Sequence, residues 1–168
     1  LMSDRPLKRG TTRFVFSNLS HCKDLHEGLH SLADTYNVAH GGNFNFVKKR
    51  SHMLSFIVDD RNFHYRVKPS ELAIELALIN IHCALSILVG KVLTLSRIAT
   101  KRPVIHQPNH HLQLFDCPVL WNHSHFELSY EAHQQELAFS SQQHLDTTNL
   151  YSHFLALRKD QSDADQDN

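Results

Sequence analysis

Residues 70–90 read SELAIELALINIHCALSILVG, a stretch in which most side chains are apolar. Lys68-Pro69-Ser70 is a favourable start for a helix and Gly90 a favourable residue just past a helix end, so the stretch predicts one long helix. Its apolar run is long enough to suggest a membrane span. Glu75 interrupts that run, however, and one charge within a span costs about 2.5–3.5 kcal/mol on insertion scales. We therefore expect a buried core helix and no membrane partner.

The segments before this helix predict a strand, a helix and three further strands. Residues 13–20 read as a short strand that leads to Ser20 as an N-cap. Residues 21–37 place apolar side chains at spacings of three and four, which is typical of an amphipathic helix, and Asn37 is a plausible terminator. Alternating apolar residues then predict three strands. These strands cover residues 43–49, 51–58 and 62–67.

The segments after residue 90 predict a strand, a short helix, a strand and a final helix. They cover residues 92–98, 110–116, 126–129 and 144–159. This order predicts an α+β fold, in which a mostly antiparallel sheet packs against several helices, including the long apolar one. Residues 1–12 read as an N-terminal extension and 13–158 as one domain. Residues 159–168 are acidic and lack apolar anchors, so they read as a flexible tail or an interdomain linker.

Composition argues against a nucleic-acid-binding or a secreted protein. The chain has 168 residues, with 17 basic and 17 acidic side chains, so it carries no net positive charge that would indicate nucleic-acid binding. Its three cysteines are widely spaced and include no CxxC pair, which indicates reduced thiols in a cytoplasmic protein. The first residues lack the apolar core of a secretory signal.

Residues 26–30 read HEGLH, which fits the H-E-x-x-H signature of zinc hydrolases. His26 and His30 would share a metal one helical turn apart, with Glu27 as general base. The extended signature is missing, because Ala33 and Tyr36 stand where it requires Gly and His. A third ligand would have to come from elsewhere, with Glu71 or Glu75 as candidates. The zinc site therefore stays open as an alternative.

Other histidines are numerous, 15 in all. His123 and His125 would point to the same side of a strand, near Cys117. We expect this group to be polar loop residues rather than a metal site, and His64 and His82 to be core residues. No nucleophile elbow and no glycine-rich phosphate loop is present in the sequence.

Two segments carry a family resemblance. The first-helix pattern L-x-E-A/G-L-x-x-L-A-x-x-Y is matched from Leu25 to Tyr36, and residues 114–119, LFDCPV, are similar to the pattern L-F-G-C-P-V. Asp116 replaces the usual glycine of that pattern. Trp121 and the segment Phe126–Tyr130 follow in the expected order. Across residues 13–137 the chain resembles the N-terminal effector-binding (arabinose-binding-like) domain of AraC/XylS transcriptional regulators.

The resemblance implies a domain that senses a small-molecule effector and often dimerises. In this family a C-terminal helix-turn-helix domain binds DNA. Residues after 137 show no helix-turn-helix pattern. It implies no catalytic residue, cofactor or metal. Five residues combine aromatic surface with polar tips and are our candidates for the effector pocket between sheet and helices, although ordinary core packing explains each one singly. They are Tyr36, Phe56, Tyr65, His82 and Trp121.

Overall fold

The computed structural model describes residues 10–65, 68–106, 110–140 and 145–166. Within these residues, α-helices and a five-stranded sheet form an α+β fold, as the sequence predicts. The helices are α1 (Thr11–Ser17), α2 (Leu25–His40), α3 (Glu71–Val89) and α4 (Leu150–Gln166). The strands are β1 (Asn45–Arg50), β2 (Met53–Val58), β3 (Leu95–Ala99), β4 (Val119–Leu120) and β5 (Phe126–Glu131). Short 3₁₀ helices cover Asn18–His21, His111–Phe115 and Ala132–Glu136.

The sheet has the strand order β1-β2-β5-β3-β4. The first three pairings are antiparallel, and β3 pairs with β4 in parallel, so the sheet is mixed with a largely antiparallel body. A hairpin joins β1 to β2, with Arg50 opposite Met53. Strand β4 was not predicted, because two residues are too short to show alternation.

Helix α3 is the centre of the core. The Ser70 side chain accepts a hydrogen bond from the backbone N–H of Ala73, and Gly90 ends the helix with φ 80°. Although α3 is long and apolar enough to cross a membrane, 67% of its most apolar window is buried within the fold. It packs over β5, where Tyr130 and Leu128 lie opposite Leu54 and Phe56 of β2. This packing is what the apolar stretch at 70–90 predicts.

The N-terminal prediction was wrong in three places. Residues 13–20 are helical rather than a strand, because Val15 and Phe16 are adjacent and both buried, as on one helix face. Ser20 does not cap α2; Asp24 does, and its carboxylate accepts a hydrogen bond from the Glu27 N–H at 2.9 Å. Nor does α2 end at Asn37, since it continues to His40 and is followed by Gly41 as its C-cap, with φ 74°.

The third predicted strand, 62–67, does not form over residues 62–65, and Arg66 and Val67 lie outside the described residues. Instead a turn places the Phe63 N–H on the Asp60 carbonyl at 3.0 Å. Strand β3 begins at Leu95 rather than 92. The N–H groups of Val92 and Leu93 are bound by side chains, Gln161 Oε1 and Ser86 Oγ, instead of a neighbouring strand.

The C-terminal prediction placed the last helix at 144–159 and a flexible tail after it. Helix α4 begins later, at Leu150, after a turn organised by the Asp146 side chain. It continues to Gln166, so residues 159–166 are helical, and 167–168 lie outside the described residues. Gln161 holds this end of the helix against the fold through its 2.7 Å bond to Val92. Whether the segment serves as an interdomain linker stays a prediction.

Candidate functional site

A ligand-sized cavity of about 510 Å³ lies between the N-terminal helices and the segment that leads into α4. Volumes of this order are typical of small-molecule sites. Its apolar lining comes from Phe16, Leu88 and Leu145. Its polar lining consists of the hydroxyls of Ser17, Ser20, Thr147 and Thr148 and the charged groups of Arg13 and Asp146.

The two charged groups of the cavity are held differently. Arg13 is exposed on α1, and its guanidinium pairs with no residue that the structure describes. Asp146 is fixed, because Oδ1 accepts hydrogen bonds from Thr148 N and Oγ1 at 3.0 and 2.6 Å, and Oδ2 accepts one from Asn149 at 2.7 Å. These hydrogen bonds lower the pKa of Asp146 to about 2, so its carboxylate is ionised at neutral pH.

Both serine hydroxyls of the cavity donate hydrogen bonds to backbone carbonyls. Ser17 Oγ donates to the Phe14 carbonyl at 2.8 Å, and Ser20 Oγ donates to the Ser17 carbonyl at 2.7 Å. Each oxygen keeps lone pairs that can accept a hydrogen bond from a ligand. The cavity thus offers one cation, one anion and several acceptors around an apolar floor. Sequence patterns gave no signal for it, since its walls come from segments more than a hundred residues apart.

The five candidate pocket residues do not form one site. Tyr36 and Phe56 line a second cavity, between α2, α3 and the sheet, whose volume of about 10 Å³ has room for a single water. Tyr65 lies nearby in an aromatic cluster, where its hydroxyl donates to Asp60 Oδ2 at 2.7 Å. His82 and Trp121 lie elsewhere.

The aromatic cluster consists of Tyr36, His40, Phe44, Phe63 and Tyr65, joined by successive ring contacts. The Asn37 side chain shapes it, since Oδ1 accepts from the N–H groups of Phe44 and Asn45 and Nδ2 donates to the Asn45 carbonyl. Burial lowers the pKa of His40 to about 4, which keeps the ring neutral. His40 Nδ1 and Asn45 Oδ1 are buried without a partner among the described residues. The neighbouring cavity of about 10 Å³ is too small for an organic ligand.

His82 and Trp121 occupy structural positions. His82 is 1% exposed, its Nδ1 lies 3.2 Å from the Tyr130 hydroxyl, and its ring packs between Phe115 and Phe154. Burial lowers the pKa of His82 to about 3. Trp121 is half-buried and contacts the ring of His110 edge-on, with centroids 5.4 Å apart.

Two buried glutamates organise polar networks. Glu75 of α3 accepts from Thr100 Oγ1 at 2.6 Å and from Arg102 at 3.0 Å, and it contacts His111 Nε2 at 2.6 Å. This network ties α3 to the end of β3 and to the 3₁₀ helix His111–Phe115. Both carboxylate oxygens of Glu75 have partners within the fold, which indicates a structural role.

The second network lies on the sheet face away from α3. Burial alone would raise the pKa of Glu127, but hydrogen bonds from Ser129, His125 and Ser55 lower it to about 2. Arg97 adds a charge contact at 3.6 Å. His125 Nε2 lies 3.0 Å from Glu127 Oε2, so His125 is a polar member of this network.

The HEGLH segment lacks the geometry of a zinc site. Glu27 is held by Lys23, whose ammonium lies 2.9 Å from Oε1 and whose backbone N–H donates to Oε2 at 3.0 Å. The rings of His26 and His30 are adjacent, with centroids 4.7 Å apart. Among the residues that the structure describes, no group of three His, Cys, Asp or Glu side chains is arranged to hold a metal ion. Glu75, a candidate third ligand, is engaged in its own network.

Comparison with known proteins adds no identification: no family model, curated protein or solved structure matches this chain.

Proposed function

We propose that this chain is a small-molecule-sensing regulatory domain of an AraC/XylS-type transcriptional regulator, acting in the cytoplasm without catalysis. It would work as a homodimer and contact DNA through a helix-turn-helix domain outside this sequence. The observation that carries the sensing role is the cavity of about 510 Å³, which combines an apolar floor with a few polar groups, as small-molecule sites do.

The LFDCPV segment supports the family assignment. Asp116 takes φ 50° and ψ 43°, a left-handed conformation that glycine adopts most easily. This is the position at which the family pattern has glycine. The residues after it join the sheet, because the Ile98 N–H donates to the Pro118 carbonyl at 3.0 Å and Val119 pairs with Ile98. A left-handed residue where the pattern has glycine is the structural observation that supports this part of the proposal.

The position of the cavity supports a route for the signal. A ligand there would contact α1, the end of α3 at Leu88 and the turn at Asp146 that begins α4. Helix α4 packs along α3, with Phe154 against His82. By binding one arrangement of these elements more tightly than another, the ligand would shift the population of α4 positions. In this proposal, a helix-turn-helix domain joined to α4 would respond to that shift.

The zinc hydrolase is the less favoured alternative, since the described residues place no third metal ligand beside His26 and His30. The regulator proposal is tested by reading about a hundred residues beyond Asn168 in the parent gene, and by a promoter-reporter assay with the full-length protein. We expect two helix-turn-helix patterns and metabolite-dependent expression. A parent chain without such patterns would overturn the proposal.

A further inference from the structure

The cavity between α1 and the start of α4 carries separated opposite charges. Arg13 and Asp146 both line it, yet they form no salt bridge with each other. Asp146 receives its hydrogen bonds from neutral groups, so its charge is not cancelled by a described cation. A ligand with a single charge would meet one of these groups favourably and the other unfavourably.

The hydroxyls of the cavity further favour a ligand that carries both a positive and a negative group. Because the protons of Ser17, Ser20 and Thr148 are committed to protein acceptors, these oxygens face a ligand as acceptors. Acceptors next to a carboxylate favour a ligand group with several donors, such as an ammonium. The guanidinium of Arg13 offers the complementary fork for a carboxylate.

The floor of the cavity selects the body of the ligand. Phe16, Leu88 and Leu145 line it with apolar side chains. An apolar ligand group placed against them leaves water, which favours its binding. The volume leaves room for a molecule of amino-acid size together with some water.

We propose that this cavity binds a zwitterionic α-amino acid with an apolar side chain, whose carboxylate pairs with Arg13 and whose ammonium pairs with Asp146. This rests on the proposed sensing function and names its ligand class. The apolar side chain lies against Phe16 and Leu88, and the serine hydroxyls accept from the ammonium.

Three probes of matched shape test the proposal by titration calorimetry with the 168-residue protein: L-leucine, 4-methylpentanoate, which lacks the ammonium, and 3-methylbutylamine, which lacks the carboxylate. L-Phenylalanine extends the set. We expect leucine or phenylalanine to bind at least about tenfold more tightly than either single-charge analogue, since each added charge-assisted pair contributes more than about 1.4 kcal/mol.

Two variants assign the charges. Arg13→Gln should weaken leucine and 4-methylpentanoate and leave 3-methylbutylamine unchanged. Asp146→Asn should do the reverse, and asparagine preserves the turn that Asp146 makes. Arg158→Gln, which removes an exposed cation outside the cavity lining, is the matched control and should change nothing. Unfolding curves confirm that each variant is folded. Arg13→Lys, which keeps the positive charge, is a second test of the pairing with the ligand carboxylate.

The proposal is overturned if neither amino acid binds, if a single-charge analogue binds as tightly, or if the control variant has the same effect as Arg13→Gln. Tight binding of a different class of metabolite would overturn this ligand class but leave the sensing function standing. The sensing function itself is judged by the reporter assay with the full-length protein.

Discussion

Arg13 and Asp146 line the same cavity from segments at opposite ends of the chain, and they do not form a salt bridge. Their charges therefore contribute little to the stability of the ligand-free protein. We expect Arg13→Gln and Asp146→Asn each to leave the midpoint of urea denaturation nearly unchanged. Asp146→Ala should lower that midpoint more than Asp146→Asn does, because it removes the acceptors of three hydrogen bonds before α4. A large loss in Arg13→Gln would show that Arg13 is structural.

Two buried histidines predict how stability depends on pH. The folded-state pKa values of His40 and His82 are lowered by burial to about 4 and about 3, from an ordinary value near 6.5. Below about pH 6.5 the unfolded chain therefore binds protons that the folded chain refuses, and stability falls as pH falls. Above that pH the two rings are neutral in both states and have no effect.

The window from about pH 6.5 down to about pH 5 reports mainly on histidines, because carboxylates titrate mainly below it, and single variants separate His82 from the other histidines. Each of these two histidines should lower the free energy of unfolding by up to about 1.4 kcal/mol for each pH unit of that window. Urea denaturation of His82→Gln should show a smaller slope than the unaltered protein. His153→Gln, at an exposed position of α4, is the control and should keep the full slope. Equal slopes in all three proteins would contradict the buried, neutral state of His82.

The turn at Asp116 predicts an ordering of variants. Asp116→Val should lower the free energy of unfolding by about 1–2 kcal/mol, since a β-branched residue is poorly tolerated at φ 50°. Asp116→Gly should be neutral or slightly stabilising, although it removes the same charge. The exposed contact with Arg158 at 3.9 Å contributes little in either case. Chemical denaturation measures both, and equal effects of valine and glycine would rule out a left-handed turn.

The Glu75 network should be essential to the fold. Glu75→Leu should destabilise the protein by about 3 kcal/mol, because Arg102 and Thr100 lose their buried acceptor. Glu71→Gln, in the first turn of the same helix, should change stability by less than about 0.5 kcal/mol. Thermal and urea unfolding check the pair. Comparable losses in both variants would point to helix propensity rather than to the network.

The zinc alternative predicts a different outcome from the sensor. Protein purified in metal-free buffer and then equilibrated with zinc should hold no stoichiometric metal through His26 and His30, since the described residues place no third ligand beside these two rings. Elemental analysis of the unaltered protein and of His26→Ala should therefore agree. One equivalent of zinc that disappears in His26→Ala would support the hydrolase and contradict the sensor as proposed.

Some elements were predictable because their signals are local. Helix α3 carries its cap and its terminating glycine in the sequence, and the hairpin β1–β2 shows clear alternation. Residues 13–17 misled because the alternation Phe14, Phe16 resembles a strand, whereas burial of the adjacent pair Val15 and Phe16 decides for a helix. The predicted α2 terminus failed because Asn37 uses its side chain to bind β1 instead of stopping the helix.

The cavity was beyond sequence analysis for a physical reason. Arg13 and Asp146 become neighbours of one cavity only through the packing of α1, α3 and the turn before α4. No spacing rule connects residues so far apart in the chain. Of the residues proposed for a pocket from their chemistry, Tyr36 and Phe56 do meet at a small cavity, and their role as ligand contacts stays a prediction.

The sensing function is tested most directly by thermal denaturation of the 168-residue protein in a library of small metabolites, repeated with Ser20→Phe. This substitution places a ring in the cavity that Ser20 lines. We predict that at least one metabolite, at about a hundredfold its Kd, raises the melting temperature by about 5 °C or more, and that Ser20→Phe abolishes the shift. No shift with any metabolite, or the same shift in Ser20→Phe, would contradict a ligand-sensing domain built around this cavity.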